Sequence, residues 1–399
     1  MQASVSPQTQ AQAPPPPPTP LHLLRSHAAP VTALAWSDDD ERIYSGDASG
    51  KVVVTSTQSL RAIAAWMPHT DSILGVEEWD KYIVTHARDN KIHVWHRIEE
   101  PDVSARIGGS AGLPDLPTPQ LCYSMDVNAL NFCRFSLLPM SDVKAAKALI
   151  ALPNLIDSTT ADIWSIPTLD RVHAAVGQEG NKATNGGRNS SGIIMSMHLY
   201  RPERQNLRIL LAYENGSVVL REYTRTTKEA SIEGQGWNIL WKSKLHAESI
   251  MAMRVSRAND FALSVSADHI IGRYDLNTNQ NPPEEYGAAF RTKHAGSASV
   301  AIREDGKVCA VGGWDGKIRL YSTKSFKPLG TLKYHKTTCH CVEFARPFTS
   351  PGNGDMNEDK DDSDEEDMSY EEKMQRSRWL VAGSKDNRVS IWSLMSFEK

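Results

Sequence analysis

One motif recurs through this chain and constrains its fold more than any other feature. A loop histidine precedes an alternating apolar segment; a small-residue segment comes next, then a turn aspartate, then a segment closing on an aromatic residue. The second copy runs from His69 through SILGVEEW and YIVTHARDNKIHVW to Trp95. The fifth runs from His246 to Tyr274, the sixth from His294 to Tyr321, and the seventh from His335 to Trp392. The first begins at His27 and ends at Thr55. In four copies the turn aspartate stands six residues before the aromatic: Asp89, Asp268, Asp315 and Asp386. Four coincidences at one offset, each with a histidine upstream, mark a repeat architecture.

Two further units keep the apolar rhythm and lose the polar marks. The fourth has Asn215 at the aspartate position and Arg221 at the aromatic one; the third keeps Trp164 but has Ser158 where the aspartate belongs. The total is seven. Each unit reads as four short strands, a to d, because segments such as VTALAW and ASVAI alternate with the two-residue period of a half-buried strand. An aspartate beside Gly or Asn suits a tight b–c hairpin. Seven such units predict an all-β fold, a single seven-bladed β-propeller over residues 21–399. The aspartate, withdrawn from water, needs partners. The loop histidine is placed to supply one, and the Trp ring covers the pair. The marked residues are therefore read as structural, with Thr85 as a candidate hydroxyl partner in the second unit. The last unit stops at strand c, and LHLLRS (Leu21–Ser26) before the first histidine has no unit of its own. It is expected to complete the last blade as strand d, leaving no open edge there.

This His…Asp…Trp arrangement resembles the WD40-repeat family over about residues 21–394. More narrowly, LLRSHAAPVTALAW, RDNKIHVW and AGSKDNRVSIWSL resemble the fungal ASTRA-associated protein 1 family, related to the animal G-protein β-subunit-like proteins. The resemblance implies a nuclear scaffold subunit of an ASTRA-like complex. It further implies links to chromatin regulation and to maturation of phosphatidylinositol-3-kinase-related kinases, with Tel2/Tti-type cochaperones and large kinase-related proteins as partners. Two alternatives stay open: a substrate receptor or G-protein-β-like adaptor of another assembly, and a propeller enzyme with a site in its channel.

Composition narrows the partners. Net charge is −4, yet residues 355–372 alone hold eleven acidic residues and one Lys. The remainder is mildly basic without a basic cluster, so no direct nucleic-acid binding is expected. No run approaches the ~20 apolar residues of a membrane span, and the polar N-terminus is no secretory signal. Five scattered cysteines suit reduced thiols rather than a disulfide framework.

Several segments lie outside the repeats. Residues 1–20, ending in PPPPPTP, read as a disordered Pro-rich tail. Residues 101–120 read as a long loop before blade three and 177–192 as a flexible loop between blades three and four. The acidic insertion at about 349–377 falls between strands a and b of blade seven and is expected to be disordered. It reads either as a solubilising loop or as a phosphorylated docking element. Ser363, in DDSDEED, resembles acidophilic casein-kinase sites, and its phosphate would suit a Lys/Arg pocket on a partner.

Signs of chemistry are few. His335, Cys339, His340 and Cys341 cluster, but alternation places Cys339 and Cys341 on one face of their strand and His340 on the other. They read as core cysteines with a structural histidine rather than metal ligands. Gly312-Gly313 lacks the rest of a phosphate loop. No cofactor, metal or catalytic residue is expected. Trp66, Trp79, Trp237 and Trp241 lie outside the repeat's aromatic position and suit core packing. Trp237 and Trp241 are the candidates for a partner surface, since interfaces favour Trp.

Overall fold

A computed structural model of the chain describes residues 18–98, 116–140, 146–178, 191–202, 206–225, 228, 230–277, 286–346 and 369–394. The alternating segments form seven antiparallel four-stranded sheets arranged as the blades of a propeller. Six blades are sequential meanders, over residues 31–66, 73–126, 136–176, 194–244, 250–291 and 297–333. The seventh takes three strands from residues 339–393 and its fourth from His22–Leu24, with Leu23 opposite Ser390. The opening segment thus closes the ring as strand d, as the unpaired LHLLRS required.

An isolated sheet this small cannot hide both of its faces. Here each face is buried against the neighbouring blade. Seven apolar clusters result, one per blade interface. At the seam between blades seven and one, Leu24 and Ile391 pack with Val31, Leu34 and Trp36. Because the strands alternate in direction, the d–a loops and b–c turns share one rim, and the a–b and c–d turns share the other.

The innermost strands carry a device absent from the sequence reading. In six of the seven, the second residue is a β-bulge: Thr32, Leu74, Met195, Met251, Ala298 and His340. A bulge inserts an extra residue and bends the strand that carries it. These six side chains line the central channel. The bulge also corrects the expectation for the two cysteines. Cys339 packs into the interface with blade six and Cys341 into the interface with blade one, so they do not share a face.

Two further expectations change. The Pro/Gly-rich residues 101–120 fall inside blade two, between its third and fourth strands, not before blade three. The insertion in blade seven is not unstructured through residue 377, because Tyr370–Arg376 form an α-helix. Ser369 Oγ accepts from the Glu372 N–H, and the Glu372 carboxylate accepts from the Ser369 N–H. This reciprocal cap overrides the acidic composition. Both ends of the insertion rest on blade one. The Arg346 N–H donates to Asp40 at 3.0 Å and the Arg346 guanidinium pairs with Asp38. Buried Arg376 donates from Nε to the Thr57 carbonyl at 3.1 Å. Ser363 and residues 1–17 lie outside the described residues, as do most of 177–192.

Candidate interaction face and the polar braces behind it

Four blades hold a buried histidine–carboxylate–hydroxyl chain beneath the rim that carries the d–a loops. In blade two, His69 Nδ1 lies 3.0 Å from both Asp89 oxygens, and His69 Nε2 lies 2.9 Å from Thr85 Oγ1. Trp95 Nε1 donates to the same hydroxyl at 3.0 Å. The network fixes the tautomer: Nδ1 donates to the carboxylate and Nε2 accepts from the threonine. Burial is the main reason the His69 pKa falls to about 4, against the pull of Asp89. The ring is therefore neutral at pH 7.

Blade five repeats this with His246, Asp268 and Ser264, and Tyr274 supplies its hydroxyl 3.1 Å from Ser264. In blade seven, His335 meets Asp386 at 2.9 Å and Ser390 at 2.8 Å, with Trp392 donating to Ser390. In blade one, His27 meets Asp47 and Ser45, both at 2.8 Å. Sequence reading missed Asp47, because it closes strand b instead of lying in the turn, and Thr55 stands eight residues on. The signal was a carboxylate two residues after a strand serine.

The order Ser–His–Asp resembles a nucleophile relay. However, Ser45, Thr85, Ser264 and Ser390 are all buried, with their hydroxyls bonded to the histidine rings. They are internal braces. Turn residues with positive φ lock each brace to the preceding blade. At Gly216 and Gly316 a Cβ would run into the carbonyl oxygen of His246 and His335, respectively.

Blade six departs from the expectation. His294 is exposed and does not meet Asp315. Val311 occupies the strand position where Ser45, Thr85 and Ser264 offer a hydroxyl. Opposite it, buried Arg319 takes the space and binds Asp315 with both terminal nitrogens, at 3.1 and 2.6 Å. The Arg319 guanidinium and nearby Lys317 hold the Asp315 carboxyl well below the usual range against the opposing effect of burial, the largest single contribution. Tyr321 is buried in the interface with blade five. Blade three uses amides instead: Asn128 Nδ2 donates to Ser158 Oγ at 2.9 Å and to the Asn154 carbonyl at 2.7 Å.

The partner-surface expectation for Trp237 and Trp241 is overturned, for both are buried. Trp237 packs edge-on against His173. Trp241 stacks on Tyr274 and Tyr286. Trp66 and Trp79 are buried too. Among the described residues, no group of three or more His, Cys, Asp or Glu is arranged to hold a metal. No helix among the described residues is long and apolar enough to cross a membrane.

The histidine rim opens onto a cavity of about 300 Å³ at the channel mouth. Phe132, Met195, Met251 and Leu74 give it apolar walls. Charges from four blades meet at the channel: Arg134 binds Glu77 at 2.7 Å and approaches Glu343 at 3.8 Å, and Arg254 pairs with Glu343. The two acids neutralise the two guanidinia. The arrangement offers surfaces and a lined pocket rather than an activated nucleophile.

Comparison with known proteins agrees with this architecture. The family model for ASTRA-associated protein 1 matches residues 20–380, and the model for the WD domain, G-beta repeat, matches 374–393. A protein of Verticillium alfalfae named ASTRA-associated protein 1 is 31% identical, across 93% of this chain and 92% of its own length. Proteins of the same name from Penicillium rubens and Schizosaccharomyces pombe are 29% and 25% identical, each across 94% of this chain. The fold and these names point to a scaffold rather than an enzyme. With a family model spanning nearly the whole propeller, the chain belongs to the ASTRA-associated protein 1 family of WD-repeat proteins.

Proposed function

We propose that this chain is a non-catalytic scaffold subunit of a nuclear ASTRA-like complex. In this reading it serves chromatin regulation and the maturation of phosphatidylinositol-3-kinase-related kinases, beside Tel2/Tti-type cochaperones. The observation that carries the reading is the match of one family's model to residues 20–380. The structure supports it in a second way. The His–Asp pairs, the groups best suited to chemistry, are consumed as buried braces, and the rim above them offers loops for contact. The test is mass spectrometry of the tagged full chain purified from native extract at its normal abundance. Co-recovery of Tel2- and Tti-type proteins is expected. Recovery of cullin adaptors in their place would move the chain to the substrate-receptor reading. A fluorescent fusion confined to the cytoplasm would overturn the nuclear assignment.

A further inference from the structure

The repeat pattern is most altered in blade three, and the same blade changes the rim. Its b–c turn spans seven residues, 154–160, between strands ending at Pro153 and starting at Ala161; the other six blades use three or four. That turn presents Leu155 and Ile156, which are 51% and 95% exposed. The preceding d–a loop presents Leu130 and Phe132, 73% and 56% exposed. The two loops are tied together. Asn131, between Leu130 and Phe132, donates to the Ser158 carbonyl at 2.8 Å, and Asn128 donates to the carbonyl of Asn154, next to Leu155. Four large apolar side chains are thus exposed on two loops that hydrogen bonds from side-chain amides tie together.

Single exposed leucines need no explanation, but a fixed cluster from two loops does. The fold gains nothing from Leu-Ile at a turn where Gly, Asn or Ser would serve. One cation beside the cluster has no described carboxylate partner: the Arg88 guanidinium, which lies 4.3 Å above the Phe132 ring. Asp157 is turned back on its own loop, accepting from the Thr159 N–H and hydroxyl at 2.9 and 2.7 Å. Phe132 also walls the channel mouth, so a hollow for one apolar side chain lies beside the ridge.

We infer that the blade-three rim is a docking surface for a partner-protein segment carrying a large apolar side chain with a carboxylate close by. The apolar group covers Leu130, Phe132, Leu155 and Ile156, and the carboxylate reaches Arg88. In blade three Asn128 and Asn131 stand in place of the His–Asp brace and hold the longer turn that displays these residues. The inference rests on the reading of the chain as a binding platform.

The test uses the full chain with a benzophenone amino acid at position 156, photolysed in native extract, with the cross-linked peptide sequenced. The expected product is a partner segment with Leu, Ile, Met or Phe next to Asp or Glu. Arg88→Glu should cut its yield at least tenfold, and Arg88→Lys should retain it. The triple variant Leu130→Ser, Leu155→Ser, Ile156→Ser should lose the same partner while unfolding at the wild-type temperature. Cross-links only to a second copy or to this chain's own residues would overturn the proposal, as would none at all. So would a triple variant that binds within twofold of wild type. If Tel2/Tti-type proteins are recovered without a cross-link at 156, this surface fails and the scaffold reading stands. If the cross-link has the stated chemistry but joins an unrelated protein, and no Tel2/Tti-type protein is recovered, the surface stands and the scaffold reading fails.

Discussion

His335 and Asp386 stand 51 residues apart in the chain, yet Nδ1 of one lies 2.9 Å from the carboxylate of the other. In blades one, two and five the same pair is separated by 20 to 22 residues. The brace in blade seven therefore spans the whole insertion. Asp386→Ala should cost about 2–3 kcal/mol, because it leaves a buried imidazole N–H without its acceptor. Replacing 349–366 with a short Gly/Ser linker should change stability by less than about 1 kcal/mol, since loop closure depends weakly on length. Denaturant titration of both variants checks the pair of outcomes.

Ring closure depends on three residues. Deleting 1–18 should leave the unfolding temperature unchanged. Deleting 1–24 removes the strand that pairs with Val389–Ile391 and exposes the space filled by Leu24. A loss of about 2–3 kcal/mol is expected from the side chain alone. Self-association through the bared edge should accompany it, visible by size-exclusion chromatography. A monomeric, equally stable 25–399 chain would contradict the closure described.

Acid should weaken the fold through two histidines that are not braces. His86 is wholly buried, with neither ring nitrogen bonded to a described partner. Burial pulls its pKa down to about 3. His173, packed under Tyr223 and Trp237, falls to about 4, again mainly through burial. Both folded values lie below the unfolded value near 6.5, so the unfolded chain takes up protons first. Stability is fully present above pH 6.5 and is lost as pH falls towards 4 and then 3. Each site should cost about 2 kcal/mol by pH 5. His86→Leu should flatten the pH dependence of the unfolding free energy by one proton between pH 6.5 and 4.

Blade six offers a repair experiment. Arg319→Val should destabilise by about 1–2 kcal/mol, losing a buried stem and the Asp315 pair. Adding Val311→Ser restores the hydroxyl found in blades one, two and five. His294 should then swing inward to Asp315, and the double variant should recover the loss. Histidine NMR would report the change, with His294 moving from an exposed to a shielded environment.

Much of this was legible in the residues. A histidine, a carboxylate six residues before an aromatic, and alternating strands were enough for seven blades and for the closing role of Leu21–Ser26. Spacing alone does not say which partner an aspartate takes, and Asp315 chose Arg319 because Val311 lacks a hydroxyl. The displacement of Cys341 from the face of Cys339 comes from a bulge that leaves no mark in composition. The helix at 370–376 had a signal, Ser369 with Glu372 three residues on, which the surrounding acids obscured. Trp237 and Trp241 lie on the fourth strand of blade four, where a residue's period does not reveal which side a neighbouring blade covers.

The bulges in the innermost strands give the chain a separate set of adjustable positions. A residue such as Met251 or His340 lines the channel, while the residues on either side of it face the blade interfaces. Changes there alter the bore and its polarity while leaving the packed layers untouched. The axle of this wheel can be re-lined one spoke at a time, without re-fitting the spokes.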